Sequence, residues 1–323
     1  MKVSENKVSQ WLAGLPQDLQ QQIRSMHKPI ARWRLVIVLF VLIWIAAAVL
    51  MLKFPFWPLH LLGYFVIGSV IHGLAISMHE CIHGNMFRNP RRDYWLGLFL
   101  GLPALMSCTA YKVTHRLHHI HNRTAEDPDE LTNLSPNRHV LSAMFYIWAI
   151  IGMPLYLIHI AITSLTKGTP SQRRTVIFEE CFIIGFVVFM VCLAYRTDCT
   201  AILFHCWMMP VVFAMFMANT RAWSEHSMTK QGHPLTQSRT VVSNRVVSFF
   251  LCNQNYHLEH HLFPALPWYR LPEVHNLLQS EYRKANTFIY KSYLKFMWDA
   301  FRHGVHSELP PGEKREYQWN VVE

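Results

Sequence analysis

Apolar positions in this chain come mainly as long unbroken runs. They show neither the alternation of a half-buried strand nor the one-sided stripe of a soluble helix. "LVIVLFVLIWIAAAVLML", Leu35 to Leu52, is long enough to cross a bilayer as a helix. A second run extends from about Pro58 to His79. Val176 to Tyr195 and Ala201 to Ala218 form a close pair joined by "RTDCT". Two weaker runs are interrupted, Tyr94 to Met106 by Gly97, Gly101 and Pro103, and Val140 to Leu165 by Gly152 and Pro154. The pattern predicts an all-α integral membrane protein with four transmembrane helices. The weaker runs are expected as re-entrant or interfacial helices, and the polar remainder as a cytoplasmic helical cap. Residues 1–33 read as an amphipathic N-terminal segment without a cleavable signal peptide, and residues 220–323 as a cytoplasmic C-terminal part. A single domain over 1–323 is expected, since no linker divides the chain.

Composition supports a membrane setting. Of 323 residues, 51% are hydrophobic and 15% charged, against about 25% charged in a soluble domain. The net charge of +10 lies in loops between apolar runs, which fits loops facing anionic lipid and excludes a nucleic-acid surface. Lys28, Arg32 and Arg34 precede the first run, and Arg88, Arg91, Arg92, Lys112, Arg116 and Arg123 follow the second. Arg173 and Arg174 precede the third, and Arg221 and Lys230 follow the fourth. The intervening loops carry only Lys53 and Arg196. This bias predicts both termini and the active side in the cytoplasm, at the inner or plasma membrane if the source is bacterial. The seven cysteines show no paired spacing, so a disulfide framework is not expected.

Histidine is the candidate chemistry. There are 20. "HRLHH" holds His115, His118 and His119, and "HLEHH" holds His257, His260 and His261, both in an H-x-x-H-H pattern. Composition alone predicts roughly 0.07 such patterns in the chain. "HECIH" adds His79 and His83, and "EHS" adds His226 after the fourth run. On a helix, positions i, i+3 and i+4 share one face, so each triplet projects together. All four groups are expected just outside a span, on one side of the membrane. Neutral imidazole ligates iron, zinc or copper. Eight or nine histidines exceed one metal's needs, and two metals with four to five ligands each would use them. Two redox-active irons suit the splitting of dioxygen and attack on a strong C–H bond. His72 is too far along the helix to join, His121 points off the face, and His60, His159 and His205 read as packing residues.

With "HECIHG", "HRLHH", "EHS" and "NYHLEHHLFP" in this order around paired spans, the chain resembles the membrane fatty acid desaturase and hydroxylase family. The resemblance implies a non-haem centre of two Fe ions held by His79, His83, His115, His118, His119, His257, His260 and His261, with His226 as a further ligand. It also implies O2 as co-substrate, a long-chain lipid or acyl substrate, and oxidation at the cytoplasmic membrane surface, most simply fatty acyl desaturation. No cytochrome domain is read in the sequence, so electrons are expected from a separate donor, a ferredoxin or cytochrome with its reductase. Some relatives place an asparagine four residues before the extra histidine. Here that position is Ala222, leaving Asn219, Asn253 and Asn255 as substitutes. Metal-bound histidines usually donate their second N–H to a carboxylate or carbonyl. Glu225, Glu259, Asp127 and Asp129 are the candidates, with Glu80 less well placed beside His79.

Other readings compete. A fatty acyl hydroxylase or a carotenoid ring hydroxylase or ketolase would share the boxes. "HECIH" also matches H-E-x-x-H, which in a membrane protein suggests a zinc protease with Glu80 as general base, but this leaves both triplets unused. A histidine-rich metal transporter or sensor would instead place ionisable groups along the spans.

Overall fold

A computed structural model describes residues 3–230 and 232–305, and its elements there are helices. Two short helices, α1 (Val3–Ala13) and α2 (Gln17–Ser25), lead to α3 (Leu35–Lys53) and α4 (Trp57–Ile82). Next come α5 (Pro90–Gly101), α6 (Cys108–His121), α7 (Arg138–Lys167) and α8 (Pro170–Arg196). A short α9 (Thr200–Leu203) passes through one π turn, Phe204–Met208, into α10 (Met209–His226). The chain then carries α11 (Arg245–Phe250), α12 (His257–Leu262) and α13 (Leu271–Leu277).

Four helices are long and apolar enough to cross a membrane: Ala31–Lys53, Trp57–Ile82, Pro170–Arg196 and Thr200–His226. Large apolar side chains such as Leu42, Ile184 and Phe189 stay exposed on them, as lipid-facing positions must. The weaker runs fold as sharply bent pairs. Pro90–Ala104 meets Cys108–His121 at 98°, and His139–Trp148 meets Ile151–Lys167 at 100°. Glycine permits the first reversal, because a Cβ on Gly101 would collide with the Met106 carbonyl. Lipid offers no hydrophobic drive between helices, so close backbone approach must hold them together. A Cβ on Gly68 of α4 would sit 2.8 Å from the Pro210 carbonyl of α10. Trp44 Nε1 also donates to the Cys206 carbonyl at 2.9 Å, within the π turn.

Two expected positions need correction. His79 lies within α4 itself, and His226 ends α10. The two helices carry their ligand candidates on their last turns instead of in the loops beyond. The N-terminal segment packs against the C-terminal part. Leu15, Ile23 and Met26 share one buried cluster with Leu258, Leu262 and Phe263 around α12.

Candidate metal centre

Four segments bring nine histidines together. One group is His79, His83, His115 and His260, and another is His118, His226, His257 and His261. His119 joins the first group, with its Nε2 2.9 Å from that of His115 and 3.1 Å from that of His260. His119 and His261 stack at 4.4 Å between centroids, so the groups adjoin.

Helix geometry explains the division. Positions i and i+4 lie about 40° apart, whereas i+3 falls about 60° to the other side. His115 and His119 therefore serve one group, and His118 serves the other. On α12 the roles reverse, with His257 and His261 paired and His260 crossing over. The two triplets are reciprocal, each giving its i, i+4 pair to a different group.

The contacts within each group fit a metal better than hydrogen bonding. His115 Nε2 is 3.0 Å from His79 Nε2, 3.1 Å from His83 Nε2 and 2.9 Å from His119 Nε2. An imidazole nitrogen carries one proton or one lone pair, so it cannot satisfy three neighbours. Lone pairs directed at one cation can. Nitrogens bound at ~2.1 Å lie about 3.0 Å apart at a right angle and about 3.4 Å apart at a tetrahedral one. The first group matches the right-angle case. In the second group, His118 to His226 is 3.2 Å, His226 to His257 3.0 Å, and His257 to His261 2.9 Å.

Burial keeps the rings available as lone-pair donors. It pushes His83 down to about 3, with the Lys112 charge adding to the effect. Burial, then neighbouring imidazoles, holds His257, His260 and His261 well below the usual histidine range. His118 differs. Burial alone would lower it, but the Asp127 carboxylate outweighs this and raises the ring to about 9. Asp127 Oδ1 lies 3.0 Å from His118 Nδ1 and also accepts from Asp129 N at 2.9 Å.

The other acidic candidates divide. Glu225 Oε1 faces His257 Nδ1 at 3.4 Å and pairs with Arg221 at 3.0 Å. Glu80 Oε1 faces His79 Nδ1 at 3.5 Å. Glu259 turns away from the ligand rings. It accepts from Tyr282 Oη and faces His275 Nδ1, both at 2.6 Å, and also takes the Thr240 hydroxyl. Asp129 is directed to Tyr156 and His159. Of the asparagines, Asn219 lines the cavity below and donates to the Trp148 carbonyl at 2.8 Å, while Asn255 donates to Val241 and Val242 carbonyls.

Glu80 also bears on the peptidase reading. It is fully buried and accepts from Gln254 Nε2 at 2.9 Å, Trp268 N at 3.1 Å and Asn85 Nδ2 at 3.2 Å. A carboxylate so engaged is an anchor for the loop after α12, not a free general base. The two hydrogens of Asn85 Nδ2 are shared between Glu80 and the Pro264 and Leu266 carbonyls, at 3.1 and 3.2 Å, docking "FPALPW" against the first box.

A cavity of about 200 Å³ opens onto both groups, reaching His79, His115, His118, His226 and His257. Its walls include Ala75, Ile76, Met106, Met153 and Ala218. Sequence reasoning missed Tyr111, Tyr156 and Arg221 in this wall. By sequence Arg221 reads as a topology charge, although its i, i+4 spacing to Glu225 signals pairing.

Residues 55–293 match the model of the fatty acid desaturase family, so the chain belongs to that family. It is 26% identical to the dihydrorhizobitoxine desaturase of Bradyrhizobium elkanii, over 72% of this chain and 71% of that protein. It is 24% identical to the sphingolipid delta(4)-desaturase of Pongo abelii, covering 86% and 83% respectively. It is 27% identical to the sn-1 oleoyl-lipid 12-desaturase of Arthrospira platensis, covering 74% and 73%. The chain is a membrane oxidoreductase of lipid metabolism.

Proposed function

We propose that this enzyme desaturates a long-chain lipid with O2 at a centre of two irons. The carrying observation is the partition of nine imidazoles into two adjoining groups whose Nε2 atoms converge. His79, His83, His115, His119 and His260 would hold one iron, and His118, His226, His257 and His261 the other. Five converging imidazoles in the first group favour a cation with more than four positions over tetrahedral zinc. When bound, the irons supply reduction of O2 and removal of hydrogen from an unactivated methylene pair. The overall balance is –CH2–CH2– plus O2, two electrons and two protons giving –CH=CH– and two waters.

The remaining work belongs to the chain's own side chains. Asp127 fixes the tautomer and orientation of His118, and Glu225, paired with Arg221, places its charge beside His257 Nδ1. The cavity lies against both groups, and its apolar wall excludes water while holding the hydrocarbon. Electrons come from a separate donor, a ferredoxin or cytochrome with its reductase. Both termini and the metal groups face the cytoplasm, by the basic-loop bias. The bent pairs lie at the membrane surface or re-enter it.

Expression in a host of defined lipid content, followed by mass analysis of its lipids, tests the proposal. Loss of two hydrogens is expected. Gain of one oxygen instead would make the enzyme a hydroxylase, and an unchanged lipid profile in iron-loaded membranes supplied with reductant would contradict the reading.

A further inference from the structure

The cavity is not uniformly apolar. Asp129 Oδ1 and His159 Nε2 are buried atoms without a hydrogen-bond partner, and both residues line it. They lie 3.8 Å apart, too far to satisfy one another. The second Asp129 oxygen accepts from Tyr156 Oη at 3.4 Å. A cavity built only to hold a hydrocarbon has no use for a carboxylate oxygen that faces His159 across 3.8 Å and accepts no hydrogen bond, an arrangement costly to leave buried. A hydroxyl, amide or amine seated between them would donate to Asp129 Oδ1 and meet His159 Nε2.

This polar end is close to the metal groups. Asp129 N donates to Asp127 Oδ1 at 2.9 Å, and that oxygen is 3.0 Å from His118 Nδ1. The same cavity reaches His115, His118 and His226. A polar group held at Asp129 therefore leaves only a short length of hydrocarbon between itself and the oxidised carbons.

We propose that Asp129, Tyr156 and His159 bind the hydrogen-bond-donating head of an amphiphile, so that oxidation falls within a few carbons of that head and not in mid-chain. This rests on the reading of the enzyme as a lipid desaturase.

The test uses membranes containing the full iron-loaded chain and a reductase system. Three saturated probes of equal chain length are supplied: a long-chain amino alcohol, its N-acyl amide, and a phosphatidylcholine carrying the matching fatty acyl chain. Double-bond position is read by ozonolysis and mass analysis. The expected product comes from a probe with a free hydroxyl or N–H, with the new bond close to the head. Asp129→Asn should raise KM for that probe about tenfold or more, with kcat and iron content kept. His159→Gln, on a partly exposed side chain, should raise KM in the same direction if Asp129→Asn fails to accumulate. Unsaturation only in mid-chain of the phosphatidylcholine probe would overturn this proposal while leaving the desaturase reading intact. Unchanged KM and bond position in both variants would overturn it as well. No oxidised lipid from any probe would remove the desaturase reading itself, and this proposal with it.

Discussion

His118 Nδ1 lies 3.0 Å from Asp127 Oδ1, which points the ring's Nε2 at His226 and His261. The contact links a residue near the end of α6 to the loop beyond, and Arg123 N also donates to Asp127 at 3.0 Å. Asp127→Ala should weaken metal binding at the second group about 10- to 100-fold. Asp127→Asn, which keeps an acceptor, should recover part of it. Titration of the purified protein with iron measures both. Equal affinity in Asp127→Ala and wild type would show that the carboxylate does not position the ring.

Glu80 offers a second test, because the metal reading and the peptidase reading give it different work. As an anchor for Asn85, Gln254 and Trp268, it should tolerate glutamine. Glu80→Gln is expected to retain lipid oxidation to within roughly tenfold, the cost of an imperfect hydrogen-bond exchange. A general base cannot be so replaced. Complete loss of turnover with iron content unchanged would return Glu80 to the chemistry.

Helix packing makes the third prediction. Gly68 faces Pro210 and Phe213 of α10 at distances a Cβ cannot occupy. Gly68→Val should force α4 and α10 apart and cost about 1–3 kcal/mol or more. Because α4 carries His79 and α10 carries His226, metal content should fall together with the thermal midpoint in detergent. Gly185→Ala, where the added carbon meets nothing within 4 Å, should leave both unchanged.

Glu259 is predicted to act on stability instead of ligation. It is fully buried, with Tyr282, His275 and Thr240 arranged around its carboxylate. Glu259→Ala removes the carboxylate on which those groups converge and should destabilise the region of α12 by about 3–5 kcal/mol. Faster hydrogen exchange in α12 and α13 is the expected readout. An unaltered exchange pattern would show that the cluster does not hold α12 in place.

Much of this architecture was legible because lipid is an unforgiving solvent. A span needs an unbroken apolar run, so Leu35–Leu52 and its three counterparts could be read directly. The triplets were legible because i, i+3 and i+4 share a helical face. Their division was not, since His118 and His119 differ by about 100° around the axis and only the facing helices decide where each points. The same limit hid Glu259, whose neighbours Thr240 and Tyr282 are distant in sequence. By sequence Arg221 is one more loop charge, but the α10 helix continues through it and seats it against Glu225. Asp127 and Asp129 are equivalent by proximity to the second triplet, although the turn between them directs one carboxylate to His118 and the other to the cavity.

The most direct test of the central claim is the metal content of the purified full-length protein, with and without His260→Ala, measured by elemental analysis and Mössbauer spectroscopy. About two irons per chain are expected in the wild type, since four or five imidazoles suit each site. His260→Ala should lose iron from the first group and, with it, all lipid oxidation. One zinc per chain, or a His260→Ala enzyme with full iron and full turnover, would contradict the account.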